Sequence, residues 1–139
     1  MVIEHNLPLG LKEVPGLIQS VMRKLEPLKI DSDILFKIKL SLEEALVNAV
    51  KHGNKQNKDK RVLLKIRAYP EFLEAEIKDE GQGFDYTKIP LPTEEKNLER
   101  ASGRGIFLIR RLMDKVEFLD QGSRIKFIKY LKKNNTRTY

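Results

Sequence analysis

Two long segments near the start of the chain carry hydrophobic residues at intervals of three and four. They span about residues 11–26 and 31–52. Because a helix completes a turn in about 3.6 residues, this spacing gathers the apolar side chains on one face and predicts two amphipathic helices. Pro15 fits the first helix only in its opening turn. The second helix has a suitable N-cap cluster in Asp31-Ser32-Asp33 and natural stop residues in Gly53-Asn54.

Strand patterns account for most of the remaining apolar residues. Residues 2–7 are predicted to form a short first strand. Residues 61–69 and 72–79 are separated by a Pro-Glu turn, which favours an antiparallel hairpin. A final hairpin is predicted from residues 116–119 and 124–130.

The alternation within segment 72–79 makes its last residue unusual. Leu73, Ala75 and Ile77 share one face, and a period of two places Asp79 on that same apolar face. A carboxylate at the end of a core-facing row needs a partner, because an unpaired buried charge is costly. We expect a ligand with N–H groups to supply that partner.

Residues 84–102 have many charges, two prolines and poor periodicity. We interpret them as a long loop with one short helix near residues 94–100, and long loops of this kind often cover a binding site. A third helix is predicted to follow Gly103-Arg104-Gly105, with its apolar positions within residues 106–113. A helix N-terminus beside a glycine motif is suited to binding an anion.

The whole-chain composition narrows the class of protein. The 139 residues, 40% of them hydrophobic, fit one domain over residues 1–131, followed by a basic, flexible tail at 132–139. The absence of cysteine excludes disulfides, zinc–thiolate sites and thiol nucleophiles. No apolar run reaches the roughly 20 residues of a membrane span, and no signal peptide is visible, so we expect a cytoplasmic protein without membrane contact.

The net charge of +7 suits anionic ligands such as nucleotides, or an acidic partner. It is weak evidence for nucleic acid, because tryptophan is absent and basic residues do not interleave with aromatic ones. We therefore expect no direct contact with nucleic acid. A basic nucleic-acid binder stays an alternative that salt-dependent DNA binding would favour.

The end of the second predicted helix carries the candidate chemistry. Glu44, Asn48 and His52 are four residues apart and form one polar stripe beside an apolar one. An amide oxygen can hold a hard cation, and a carboxylate can accept a proton from a nucleophile. The alternative is a solvated helix face without function.

Three motifs occur in a fixed order along the chain. They are E-x-x-x-N at residues 44–48, D-x-G-x-G at 79–83 and G-x-G at 103–105. The phosphate-binding P-loop and the dinucleotide-binding glycine motif are both absent. Together, the three motifs resemble those of the GHKL ATPase superfamily, and the run at 103–114 is most similar to that of the anti-sigma-factor serine/threonine kinases within it.

This resemblance implies a two-layer α/β (α+β) sandwich of the Bergerat ATP-binding type. A mixed, mostly antiparallel sheet would pack one face on three helices, with ATP between the helices and the lid. Asn48 would ligate Mg²⁺ between the phosphates, and Glu44 would be the general base toward a serine hydroxyl of a partner protein. Asp79 would accept a hydrogen bond from the adenine amino group.

The same resemblance assigns roles to four glycines. Gly81 and Gly83 would let the backbone approach the base, and Gly103 and Gly105 would let the end of the lid wrap the phosphates. The alternative for Gly81 is an ordinary turn residue.

Basic residues complete the nucleotide-contacting set that the resemblance implies. Lys51 matches a phosphate-contacting lysine of related histidine kinases, and Arg100 resembles a lid arginine that reaches the γ-phosphate. His52 and Arg104 are added to this set. The alternatives are a helix C-cap for His52, a solvated Lys51, and ordinary surface charges for the two arginines.

Two positions depart from the family pattern. Val47 stands before Asn48 where some of these kinases have a hydroxyl residue, and Gly122-Ser123-Arg124 is a loose match to a Gly-Thr pattern before the last strand. Both departures leave phosphotransfer less secure than nucleotide binding. Phe118 and Phe127 are assigned to the core.

The resemblance predicts an ATP- and Mg²⁺-dependent anti-sigma factor that phosphorylates an anti-anti-sigma-type regulator, binds a sigma factor or related regulator, and forms a homodimer. One alternative is an ATP-binding module that sequesters its partner without kinase activity. Another is a detached histidine-kinase-like ATPase domain, which is less favoured because neither His5 nor His52 lies on a suitable phospho-accepting helix.

Overall fold

The computed structural model describes residues 1–57, 59–81 and 101–131, and leaves undescribed the side chains of residues 101–104. Residues 84–100 of the loop predicted at 84–102, with its short helix, lie outside the described residues, whereas residues 101–102 are helical and not part of a loop. The predicted tail at 132–139 also lies outside the described residues.

The helices and strands of the described chain follow one another in the order that the hydrophobic pattern predicts. The elements are β1 (Val2–Pro8), α1 (Val14–Leu25), α2 (Ser32–Asn48), β2 (Arg61–Ala68), β3 (Phe72–Lys78), α3 (Ala101–Leu112), β4 (Lys115–Leu119) and β5 (Arg124–Tyr130). Short 3₁₀ turns at Leu11–Glu13, Glu26–Leu28 and Asp120–Gly122 and a π-helical turn at Ala49–Gly53 join some of them.

The five strands form one sheet in the order β1-β2-β3-β5-β4. Each of the four pairings is antiparallel, so the predicted hairpins β2–β3 and β4–β5 are confirmed. The parallel pairing that a mixed sheet would include is not found among the described strands. Ile77 pairs with both Leu64 and Ile125, which places the end of β3 in the centre of the sheet.

The core lies between one face of this sheet and the helices. Alternate residues of the strands point inward, and the apolar stripes of α1 and α2 cover them. Phe127 on β5 is fully buried, as predicted, and Phe118 on β4 packs against the same core. The result is a two-layer α/β fold with the sheet on one side and three helices on the other. No helix in the described ranges is long and apolar enough to cross a bilayer.

The helix boundaries differ from the prediction at three places. A 3₁₀ turn precedes α1, so the α-helix begins at Val14 and Pro15 falls in its first turn as expected. Helix α2 ends at Asn48 and continues as the π-helical turn Ala49–Gly53, instead of running as an α-helix to His52. Helix α3 begins before the glycine motif, which therefore lies within its first turns.

The early start of α3 has a physical cause in its neighbours. Glycine costs only about 1 kcal/mol relative to alanine in a helix interior, and tertiary contacts can offset that cost. Gly105 is buried, and its lack of a side chain lets the helix lie directly on α2. The predicted position of the glycine motif just ahead of the helix is wrong for this reason.

Candidate functional site

A cavity of about 270 Å³ opens between α2, α3 and the sheet. It is slightly smaller than the roughly 300–1,000 Å³ of typical small-molecule pockets, and so suits one ring system better than a whole nucleotide. Its wall is mainly apolar with a few polar groups. The lining residues are Ala45, Asn48, Ala49, His52, Gly53, Ile77, Asp79, Ile106, Phe118, Gly122, Ser123 and Ile125.

Asp79 is the only acid among the described residues that line this cavity. It directly follows β3 and is only 8% exposed, which confirms the predicted burial of this carboxylate. Its Oδ1 accepts a hydrogen bond from the Gly81 N–H at 2.7 Å, and its own N–H donates to the Ser123 carbonyl at 2.9 Å. Burial raises the pKa of Asp79 above its ordinary value, and the Gly81 hydrogen bond opposes that rise.

Two residues of the predicted polar stripe reach the cavity from the other side. Asn48 is the last residue of α2, and His52 lies in the π-helical turn that follows. Burial lowers the pKa of His52, and the neighbouring Lys51 ammonium lowers it further. The lowered pKa favours the neutral imidazole, which has one hydrogen-bond donor and one acceptor.

The π-helical turn gives this end of α2 its shape. The Asn54 N–H donates to the Ala49 carbonyl at 2.8 Å, a bond that spans five residues instead of four. Such wide turns are rare and occur often at functional sites. Here the turn brings Ala49, His52 and Gly53 to the cavity wall.

Glu44 does not line the cavity, although it belongs to the same stripe. It is half-buried and lies under α3, where Gly105 passes close to it. A Cβ atom at position 105 would lie 2.7 Å from Glu44 Oε2 and 3.2 Å from Asn48 Nδ2. Gly105 thus contacts both members of the predicted catalytic pair.

The loop that carries Asp79 packs equally tightly on the π-helical turn. A Cβ atom on Gly81 would lie 2.0 Å from the Gly53 carbonyl oxygen, and one on Gly53 would lie 2.1 Å from Asp79 Oδ2. The backbone contact at Gly81 is thus a structural requirement of the wall, whether or not a base also approaches it.

The remaining predicted site residues fall into three groups. Lys51 is exposed and does not line the cavity. Gly103 lies in the first turn of α3, and the position of the Arg104 side chain is not among those described. Gly83 and Arg100 lie outside the described residues.

The structure adds wall residues that the sequence did not assign to the site. Phe118, predicted as core, also lines the cavity. Gly122 and Ser123, noted only as a loose motif match, form part of the wall, and the Ser123 hydroxyl donates to the Asp120 carbonyl at 2.9 Å. Their position just before a strand and the Gly-Ser pair itself are the signals that pointed to them.

Asn54 is a further residue whose importance the sequence did not reveal. It is only 1% exposed, whereas the sequence suggested an ordinary residue at the end of a helix. No pattern around it distinguishes a buried asparagine from one at a solvated helix end, because its partners come from distant parts of the chain.

The described residues contain no cluster of three or more histidine, aspartate or glutamate side chains able to hold a metal ion. A cation at Asn48 would therefore take most of its oxygen ligands from phosphates and water. This donor set is the usual one for Mg²⁺ in nucleotide sites, so the residues present fit the ion.

Comparison with known families identifies the family of this chain. The family model described as "histidine kinase-like ATPase domain" matches residues 7–129. This chain belongs to that family. The resemblance inferred from the three motifs is thereby confirmed.

Among curated relatives of this histidine kinase-like ATPase domain are proteins named "Serine-protein kinase RsbW" from Staphylococcus aureus strains JH9, Newman and USA300. Each is 38% identical to it, and the match covers 71% of this chain and 67% of the relative. The likeness therefore reaches a named protein kinase as well as the wider ATPase family.

Proposed function

We propose that this chain is an ATP-dependent protein serine kinase that phosphorylates an anti-anti-sigma-type regulator and binds a sigma factor or a related regulatory protein. The observation that carries the proposal is the buried carboxylate of Asp79 in a mainly apolar cavity, with the Asn48 amide in the same wall. The relatives named as serine-protein kinases support it.

The cavity is suited to a purine ring. Ile106, Phe118 and Ile125 supply apolar contacts, and Asp79 supplies an acceptor of hydrogen bonds. An adenine amino group would satisfy the carboxylate that the fold has buried, because a charged acceptor gains most from an N–H donor where water is scarce. Gly81 brings the backbone close to the same position.

The phosphates would extend from the cavity toward the end of α2. In this proposal, the Asn48 amide oxygen would hold Mg²⁺, which would neutralise phosphate charge, and Lys51 and His52 would contact phosphate oxygens. Gly103 and Gly105 let the chain approach the phosphates closely. Gly83, Arg100 and Arg104 are assigned to the same nucleotide site by the family resemblance alone.

Glu44 is the proposed general base. It would take the proton of the partner's serine hydroxyl while the serine oxygen forms its bond to the γ-phosphorus. The bond from that phosphorus to the β–γ bridging oxygen breaks at the same time, and ADP leaves. The protein's own contribution is positioning and charge neutralisation.

Helix α3 lies over the proposed base, Glu44. Gly105 packs against the carboxylate end of Glu44, the group that a serine hydroxyl would have to reach. We therefore propose that the start of α3 shifts when substrate binds. From the resemblance to the anti-sigma-factor kinases, we also propose that the protein forms a homodimer and is located in the cytoplasm.

The nucleotide part of the proposal is tested by thermal stability with and without Mg-ATP. A ligand at 100 times its dissociation constant should stabilise the protein by about 2.7 kcal/mol. The Asp79→Asn variant should lose most of this gain, and removal of Mg²⁺ with EDTA should reduce it. An Asp79→Asn variant that binds Mg-ATP as well as wild type would contradict the assigned role.

The kinase part is tested by transfer of labelled γ-phosphate to an anti-anti-sigma-type protein from the same organism. Glu44→Gln should abolish transfer while Mg-ATP binding persists. Glu43→Gln is the matched control, since Glu43 is a half-buried neighbour on the same helix and has no role in the mechanism. Full activity of Glu44→Gln would remove Glu44 from the role of base.

The contact between Gly105 and Glu44 also favours a second candidate function. An ATP-binding regulator that sequesters its partner would need the cavity but not an accessible base. Stoichiometric complex formation with bound ATP and no phosphorylated product would support this second function over the first.

A further inference from the structure

Three parts of the chain meet at the edge of the cavity in a closed ring of hydrogen bonds. The Asn54 Nδ2 donates to the Arg61 carbonyl at 3.1 Å, and Asn54 Oδ1 accepts from the Glu80 N–H at 2.7 Å. The ring closes because Glu80 Oε1 accepts the Arg61 N–H. We call this arrangement the Asn54 clamp.

The clamp extends the pairing of β2 and β3 through side-chain hydrogen bonds. The ladder between β2 and β3 ends where Leu63 pairs with Lys78. Continuing the same register would bring Arg61 opposite Glu80, and the clamp joins these two residues through side chains instead of through a direct backbone bond. The strand pair is thereby held together for two residues beyond its last ladder pair.

Asp79 lies between the end of that ladder and the clamp. Lys78 precedes it within β3, and Glu80 follows it within the clamp. On the opposite side, the Asp79 N–H is held by the Ser123 carbonyl. The backbone that aims the carboxylate into the cavity is therefore anchored on both neighbouring residues.

Asparagine is the side chain that this ring requires. It must donate to one carbonyl and accept from one amide while buried, and a single planar amide does both. Aspartate at position 54 would place an oxygen against the Arg61 carbonyl, and a hydrocarbon would remove the partner of two part-buried backbone groups.

We infer that Asn54 is a positioning residue for recognition of the nucleotide base, acting through Glu80 on the direction of the Asp79 carboxylate. The inference rests on the proposed nucleotide site. It assigns a specificity-determining role to a residue that does not line the cavity.

The test compares affinities for ATP and for inosine triphosphate, in which a carbonyl oxygen replaces the amino group of adenine. Wild type should prefer ATP, because Asp79 accepts from the amino group and repels the carbonyl. Asn54→Ala and Asn54→Asp should each lower the ATP-to-ITP affinity ratio about fivefold or more, the factor that corresponds to one weakened hydrogen bond. The KM for ATP should rise more than kcat falls.

Two further comparisons separate positioning from general destabilisation. Asn57→Ala is the matched control, because Asn57 is an exposed asparagine of the same loop and, among the described residues, its side chain accepts a local bond from the Asp59 N–H. It should leave the ratio unchanged. Glu80→Ala should lower the ratio, and Glu80→Gln, which keeps the acceptor oxygen, should restore it.

The outcomes are distinct. If the ratio of ATP affinity to ITP affinity is unchanged in the Asn54 and Glu80 variants, the inference is overturned, whether or not the variants lose thermal stability. The proposed function would remain intact in that case. If Asn54→Ala does not fold, the exposed Glu80 position decides the question in the same way. A wild type that shows no preference for ATP would instead contradict the nucleotide-site proposal itself.

Discussion

Gly81 offers a sharp test of how the cavity wall is built. A Cβ atom at this position would lie 2.0 Å from the Gly53 carbonyl oxygen, whereas ordinary van der Waals contact begins near 3.4 Å. The two nearest atoms belong to the Gly53 backbone and the third is the Asp79 Oδ1, so Gly81→Ala forces the loop and the π-helical turn apart by roughly 1.4 Å. Overpacking of this kind typically costs about 1–3 kcal/mol.

For a domain of this size, we expect that cost to lower the Tm by about 4–12 °C. Gly16→Ala is the matched control, because a Cβ atom there meets nothing within 4 Å and the residue is exposed on α1. Alanine is a better helix former by about 1 kcal/mol, so this variant should raise the Tm by a few degrees.

Thermal unfolding followed by circular dichroism measures both variants under the same conditions. Opposite signs of the two Tm shifts are the expected result. A Gly81→Ala protein as stable as wild type would show that the loop and the turn do not make the close contact, and the packing described for the cavity wall would then be wrong.

Three further changes probe separate parts of the fold. Asp79→Asn should stabilise the nucleotide-free protein at pH 7, because the folded pKa of Asp79 is raised by burial. The contribution of Asp79 to stability is fully present below its ordinary pKa and is lost as pH rises through its raised folded-state pKa. Denaturant titrations should therefore show that the variant is no more stable than wild type in acid, and that its excess unfolding free energy grows between these two pKa values. Ser41→Ala should raise the unfolding free energy by about 1 kcal/mol, since the Ser41 hydroxyl is fully buried and has no hydrogen-bond partner in the described part of the chain; a loss of stability in urea titration would contradict this. Phe127→Ala should lower the unfolding free energy by about 3–5 kcal/mol because the side chain is fully buried. Phe36→Ala, at a side chain that is 62% exposed, should change the urea midpoint little. Equal effects of the two substitutions would refute the assignment of the core.

The local periodicity of the chain was sufficient to predict most of the described elements. Apolar spacing of three and four determines the inward faces of α1 and α2, and alternation determines those of β2 and β3. The burial of Asp79 followed from that alternation alone. These features depend on near neighbours in sequence, which is why they can be predicted without coordinates.

The boundaries of α2 and α3 were less predictable because distant residues decide them. The π-helical turn after Asn48 is held by the packing of Gly53 on Gly81 and Asp79. The early start of α3 depends on the close approach of Gly105 to α2. Both contacts join segments that are far apart in the chain, so no local pattern reveals them.

The sequence by itself determined the motif order, the family and the identity of the residues that could serve a nucleotide. Only the tertiary structure decided that Asn48 and Asp79 share one cavity, that Glu44 lies beneath Gly105, and that Asn54 belongs to the support of the site. The physical reason is that covalent order fixes which groups are near neighbours, whereas burial and hydrogen-bond geometry depend on how remote segments pack.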